Sequence, residues 1–255
     1  MFFEGRFAMI NEKFWNYVDE EKRDQLIHQY SARGIPIEFF DDHRIAINIL
    51  DEIFELSFHE SIIWYSCFFD SLDYDTLVSR FKDVYSLING GFYLGDYHED
   101  FYKALRRLKK DNLICCGNGE NRYSALFNLF ANGKIRLILN YDNGQYDYSN
   151  GVIINTDLIK YPYAIQTHKK TLPISNEEKV LMDMLNSENW NIAEISRNFM
   201  CGFDTCITRS QLSDNESKKL ADIDFVRNSY ECTPYTKMIT LIVLTLLRKR
   251  RIVIM

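Results

Sequence analysis

Apolar residues recur along this chain at two spacings, one helical and one extended. Asn11 is placed to cap a helix that carries Phe14, Trp15, Val18, Leu26, Ile27 and Tyr30 before Gly34 and Pro36 end it. A short extended piece, Ile35 to Phe40, follows. Between Ile45 and Phe58 the positions Ile45, Ile49, Ile53 and Leu56 repeat at helical spacing, with Asp51, Glu52 and Glu55 outside them, which predicts a second helix. The segments Ser61 to Leu72 and Asp75 to Ile88 repeat that logic, and Asn89-Gly90-Gly91 breaks the series.

The segment from His98 to Lys110 is strongly amphipathic. At about 100° per residue, Phe101, Ala104, Leu105 and Leu108 share one arc while Lys103, Arg106, Arg107 and Lys110 lie opposite. Glu99 and Asp100 in the first turn, and Lys109 and Lys110 in the last, complement the helix dipole. Leu113-Ile114-Cys115-Cys116 then reads as a strand, Gly117-Asn118-Gly119 as a turn, and Arg122 to Phe130 as a returning strand. Asn-Gly steps at 132, 143 and 150 separate Lys134 to Tyr141, Gln145 to Tyr148 and Val152 to Asn155, the pattern of a small antiparallel meander. Lys160 to Ser175 is the best domain boundary. Helices are expected again from Asn176, burying Val180, Leu181, Met184 and Leu185, from Asn191 to Phe199, and from Pro234 to about Arg251, with Ile252 to Met255 as a terminal strand.

These elements sum to an α+β chain, mainly helical, with winged-helix-like regions around a central meander. Its expected parts are an acidic helical region over residues 1–97, the basic helix, wing and meander over 98–160, and a helical domain over 175–255. The order of elements from Ser61 to Phe130 resembles the winged helix-turn-helix superfamily: two helices, a third with the Lys103 to Lys110 pattern, an exit into a strand, and a glycine-tipped hairpin as wing. That resemblance implies duplex DNA contact by Lys103, Arg106, Arg107 and Lys110 on the third helix, with Arg122 on the wing. Winged-helix domains also serve as protein docking modules, including in the accessory subunits of chromosome-organising ATPase complexes. Fold alone does not choose between these roles.

Charge separates the same two options. The whole chain carries 30 basic and 36 acidic side chains, a net of −6, which excludes a uniformly cationic surface. Residues 1–97 hold 8 basic and 18 acidic side chains, residues 98–136 hold 8 and 4, and residues 137–255 hold 14 of each. An acidic head that includes Asp51, Glu52 and Glu55 is suited to a basic protein partner. The basic middle is suited to a polyanion.

Catalytic patterns are absent from the sequence. His28, His43, His59, His98 and His168 fall in neither H-E-x-x-H nor H-x-x-x-H spacing, and no G-x-x-x-x-G-K-[ST], G-x-G-x-x-G or G-x-S-x-G occurs. Cys201 with Cys206, the run Asp41-Asp42-His43, and Asp142, Gly144 and Asp147 are better read as thiols and turns than as metal ligands. No catalytic residue, metal or cofactor is assigned. The six cysteines follow no disulfide spacing, no secretory signal opens the chain, and the apolar run Met238 to Leu247 is too short to span a bilayer. A cytoplasmic protein is expected. Arg248-Lys249-Arg250-Arg251 behind that run suits either phosphate contact or the carboxyl end of a helix. Two functions follow: DNA binding in a regulatory or replication-related role, or a non-catalytic accessory subunit that docks a protein partner in a DNA-processing or defence complex.

Overall fold

The computed structural model describes residues 26–88, 97–138, 140–142, 145–147, 152–155, 163–166, 171–187, 190–200 and 234–255. The helix expected from Asn11 lies outside these residues up to position 25, as do residues 89–96 and 201–233. Helices and small antiparallel sheets alternate along the described chain, an α+β protein.

Its centre is a three-stranded antiparallel sheet. Strand β1 (Ile27–Ala32) pairs with the short β5 (Leu72–Asp73) on one side and with β6 (Ile114–Gly119) on the other, over six residue pairs from Ile27↔Gly119 to Ala32↔Ile114. Residues 27–32 are therefore strand, and the helix expected to run through Leu26, Ile27 and Tyr30 does not form there. Alternation explains the difference. Tyr30 and Ala32 enter one core, while Gln29 and Ser31 face other buried groups and are satisfied: Ser71 Oγ donates to Gln29 Oε1 at 2.9 Å, and Ser31 Oγ donates to the Asp70 carbonyl at 2.8 Å.

A second sheet follows directly. Strands β2 (Ile35–Phe39), β3 (Ile45–Ile49) and β4 (Glu52–Leu56) form a meander in the order β2-β3-β4. The extended piece Ile35 to Phe40 is thus present, whereas the helix expected over Ile45 to Phe58 is a hairpin. Leu50 and Asp51 both adopt positive φ, 50° and 72°, as a two-residue type I′ turn requires, and Asn48 Oδ1 accepts the Asp51 N–H at 3.1 Å. Ile45, Ile47 and Ile49 alternate into the core.

Three helices close this core. Helix α1 (Phe58–Cys67) starts at Ser57, α2 (Tyr74–Ile88) follows β5, and α3 (Tyr97–Lys110) leads into β6. Trp64, Phe81, Phe101 and Leu108 are fully buried between them and the sheets. The expected helix over Ser61 to Leu72 stops at Cys67, and the expected helix over Asp75 to Ile88 is present.

On the opposite face of β1 and β6 lies α4 (Arg122–Ala131). This segment was expected to be the returning strand of a wing, with Gly117-Asn118-Gly119 as its turn; the structure overturns both expectations. Strand β6 runs straight through to Gly119, and the glycines serve helix packing. A Cβ on Gly117 would stand 2.2 Å from the Ala125 carbonyl oxygen and the Leu129 nitrogen, so only a bare backbone lets α4 settle on the strand. Asn121 then caps α4, its side chain accepting the N–H groups of Tyr123 and Ser124.

A second core, formed around α4, extends through the rest of the described chain. It gathers β7 (Ile135–Leu137), α5 (Asn176–Ser187), α6 (Ile192–Met200), α7 (Pro234–Arg248) and β13 (Ile252–Ile254), the last paired with β7. The expected burial of Leu181, Met184 and Leu185 is present, with Val180 partly buried. The remaining strands are β8 (Asn140–Asp142) with β9 (Gln145–Asp147), and a meander of β10 (Val152–Asn155), β11 (Tyr163–Gln166) and β12 (Thr171–Ile174). Phe68 packs against both cores.

Candidate functional site

Two surfaces bear the charges singled out by the sequence, and they belong to different elements. The first is the outer face of α3. Phe101, Ala104, Leu105 and Leu108 are buried, so the opposite row is turned to solvent as its periodicity required. Lys103 is 69% exposed, but its Nζ is held 2.6 Å from Glu99 Oε1, one turn earlier, and this pairing raises the lysine pKa above its ordinary value. Arg107 is 62% exposed, with its Nε 3.2 Å from Glu60 Oε1 and 3.7 Å from Asp111 Oδ2. Glu60 is itself only 3% exposed and its other oxygen accepts the Ser57 N–H at 2.7 Å. Arg107 therefore neutralises a buried capping carboxylate between α1 and α3. Arg106 and Lys110 are exposed, and among the described residues neither is ion-paired.

Arg122 is not on a wing. It occupies the first turn of α4, exposed, beyond the Asn121 cap. The structure thus brings Lys103, Arg106, Arg107 and Lys110 together on one helix, while the hairpin that was to carry Arg122 is replaced by β6 and α4.

The second surface is the meander β2-β3-β4. Its residues Glu38, Asp41, Asp42, Asp51, Glu52 and Glu55 are all exposed, against Arg44 as the one guanidinium between positions 35 and 56. Arg44 Nε lies 2.7 Å from Asp42 Oδ2, and its Nη1 lies 3.6 Å from Glu55 Oε2. Its hydrogen bond holds the Asp42 carboxyl below its ordinary pKa. Among the described residues no cation is paired with Glu52 or Asp51. Apolar groups stand between these carboxylates: Ile53 is 64% exposed and Leu50 52% exposed.

The backbone of β4 is also available. It pairs with β3 on one side, and among the described residues no strand lies on its other side. The two-residue turn makes Ile49↔Glu52 a hydrogen-bonded pair, so the same holds at Ile47↔Phe54 and Ile45↔Leu56. Alternation then directs the N–H and C=O groups of Ile53 and Glu55 away from β3, toward the free edge. Phe54, on the other face, is partly buried against the first core. Sequence reading had selected Asp51, Glu52 and Glu55 as an acidic surface, but as a helix face. It missed the strand edge, whose only local signal is the alternation Ile45, Ile47, Ile49.

Chemistry of other kinds is less developed. The glycine-bearing passage from β6 into α4 superficially invites an anion, yet the Asn121 side chain already occupies the Tyr123 and Ser124 N–H groups. Cys67 and Cys115 are buried thiols whose pKa values burial pushes up, that of Cys115 to about 12, the opposite of an activated nucleophile. Asp41, Asp42 and His43 form an exposed turn, in which the His43 N–H donates to the Phe40 carbonyl. Among the described residues no group of three or more His, Cys, Asp or Glu is gathered to hold a metal ion, and no helix is long and apolar enough to cross a membrane. Cys201, Cys206, Gly144 and the Asn-Gly steps at 143 and 150 fall outside the described residues.

Comparison with known proteins adds no relative: no family model, no curated protein and no solved structure matches this chain.

Proposed function

We propose that this protein is a non-catalytic accessory subunit that docks a basic protein partner on the acidic meander β2-β3-β4. The observation that carries the reading is the edge of β4, open among the described residues, where backbone groups at Ile53 and Glu55 directed away from β3 coincide with exposed carboxylates and an exposed isoleucine. A free strand edge with apolar positions is a template for another chain, and surface carboxylates choose the charge of that chain. The same carboxylates oppose self-association, because two β4 edges brought together set glutamates against glutamates. Cys67 and Cys115 are buried free thiols, in keeping with action in a reducing compartment such as the cytoplasm.

The test is recovery of a stoichiometric partner by co-purification with the intact chain, followed by the triple reversal Asp51→Lys, Glu52→Lys and Glu55→Lys. All three side chains are exposed, so the fold is retained, and recovery is expected to fall by about tenfold or more. Undiminished recovery of the partner by the reversed protein overturns the reading.

A second reading, duplex DNA binding in a regulatory or replication-related role, is favoured by one observation: Arg106 and Lys110 are exposed on α3 and, among the described residues, outside any ion pair. It has lost the wing that was to add Arg122, and Lys103 and Arg107 are engaged with carboxylates. Under this reading Arg106→Glu with Lys110→Glu abolishes a salt-dependent mobility shift of a DNA duplex. A shift that survives the double variant removes it.

A further inference from the structure

The residues along the β4 edge also specify the sequence pattern of what binds there. From position 52 the strand reads Glu52-Ile53-Phe54-Glu55: acid, apolar, apolar, acid. Ile53 and Glu55 point to the outer face of the meander, and Glu52 and Phe54 to the helix side, since Glu52 and Phe54 pair with Ile49 and Ile47, whose side chains enter the core. A strand added beside β4 sets one of its side chains next to each of these four, on the same face. We infer that the partner presents an extended segment bearing cation, apolar, apolar, cation at four consecutive positions. This inference rests on the docking reading above and specifies its occupant.

Each position has its own reason. The outer apolar residue covers Ile53, which is otherwise 64% exposed. The inner one covers Phe54, which is only partly buried against the first core. The inner cation meets Glu52, for which no described residue supplies a counter-charge. The outer cation meets Glu55, which is 65% exposed and shares the Arg44 guanidinium, at 3.6 Å, with the closer Asp42. The pattern is the same read from either end, so it holds whether the added strand runs parallel or antiparallel to β4. A second copy of this chain does not satisfy it through its own β4, which offers acids where cations are needed.

The experiment uses the intact chain and three ten-residue peptides that differ only in their central four residues: Lys-Val-Phe-Lys, its isomer Val-Lys-Lys-Phe, and Glu-Val-Phe-Glu. The first two have the same composition and net charge, so any difference between them reports position and not general attraction. Lys-Val-Phe-Lys is expected to bind about tenfold more tightly than the isomer, because four cross-strand pairs are matched in one and mismatched in the other. The double variant Glu52→Lys, Glu55→Lys is expected to exchange the preference and select Glu-Val-Phe-Glu. Equal affinity for the two lysine isomers, binding of none of the peptides, or a double variant that keeps the original preference overturns the pattern. A native partner that is still lost on charge reversal, while the peptides are not distinguished, separates failure of the pattern from failure of the docking reading.

Discussion

Three glutamates in this protein sit where a carboxylate is costly unless it is both hydrogen-bonded and paired. Glu60, Glu178 and Glu194 are each about 4% exposed or less, and each closes a capping box by accepting the N–H of the residue three positions earlier: Ser57, Ser175 and Asn191. Each also meets a cation from elsewhere in the chain: Arg107, Lys249 and Lys134. The cap supplies the local helix start, and the cation offsets the burial of charge. Glu60→Ala removes the cap bond and leaves Arg107 without its buried partner, and is expected to cost about 1–3 kcal/mol in denaturant unfolding. Glu60→Gln keeps the cap bond and is expected to cost less. The buried Cys115 thiol gives a different residue-scale expectation. Its ordinary value is 9.0 and burial raises it to about 12, so the unfolded chain ionises it first. Its contribution is fully present below about pH 9 and is lost as pH rises toward 12. Thermal unfolding of Cys115→Ala against the parent across that range checks the sign: the parent is expected to lose stability more steeply.

At the scale of elements, the parts that were legible and those that were not differ for a physical reason. Helix α3 was readable because four apolar and four basic positions over four turns admit only the helical period. The hairpin β3-β4 was not, because positions i and i+4 share a face in a strand as well as in a helix: Ile45 and Ile49 fit both, and only Ile47 distinguishes them. The turn gave no glycine signal, since Leu50 and Asp51 take the left-handed conformation themselves. Helix α4 was misread through its glycines. Gly117 and Gly119 look like a hairpin tip in sequence, whereas in space they are where a helix touches a strand. Gly117→Ala is accordingly expected to destabilise the protein by about 1–3 kcal/mol or more, through overpacking against α4 backbone, while Asn118→Ala between them, exposed, is expected to change stability by no more than about 0.5 kcal/mol. Urea midpoints of the two variants make the comparison.

Across the whole molecule, the β1-β6 sheet divides two cores that share a few polar clasps. Asp70 is 3.5 Å from Arg80 of α2 and 2.8 Å from Arg248 of α7, and Arg33 Nη2 donates to the Met255 carbonyl at 2.7 Å while its Nη1 donates to the Asn112 carbonyl at 3.2 Å. Part of the terminal basic run noted in the sequence is thereby engaged within the fold: Arg248 with Asp70, Lys249 with Glu178, and Arg251 buried. Facing outward, among the described residues, are an acidic sheet whose β4 edge is unpaired and a helix on which Arg106 and Lys110 stand outside any ion pair, so the charge asymmetry of the sequence persists as two separate faces. In the proposed reading, function lies on the first. Amide hydrogen exchange of the intact chain, with and without the Lys-Val-Phe-Lys peptide or the co-purified partner, tests that choice most directly. The Ile53 and Glu55 amides are expected to exchange rapidly in the free protein and to slow by about tenfold or more when the edge is covered. Bound partner with these two amides unchanged, and protection falling along α3 instead, would contradict it.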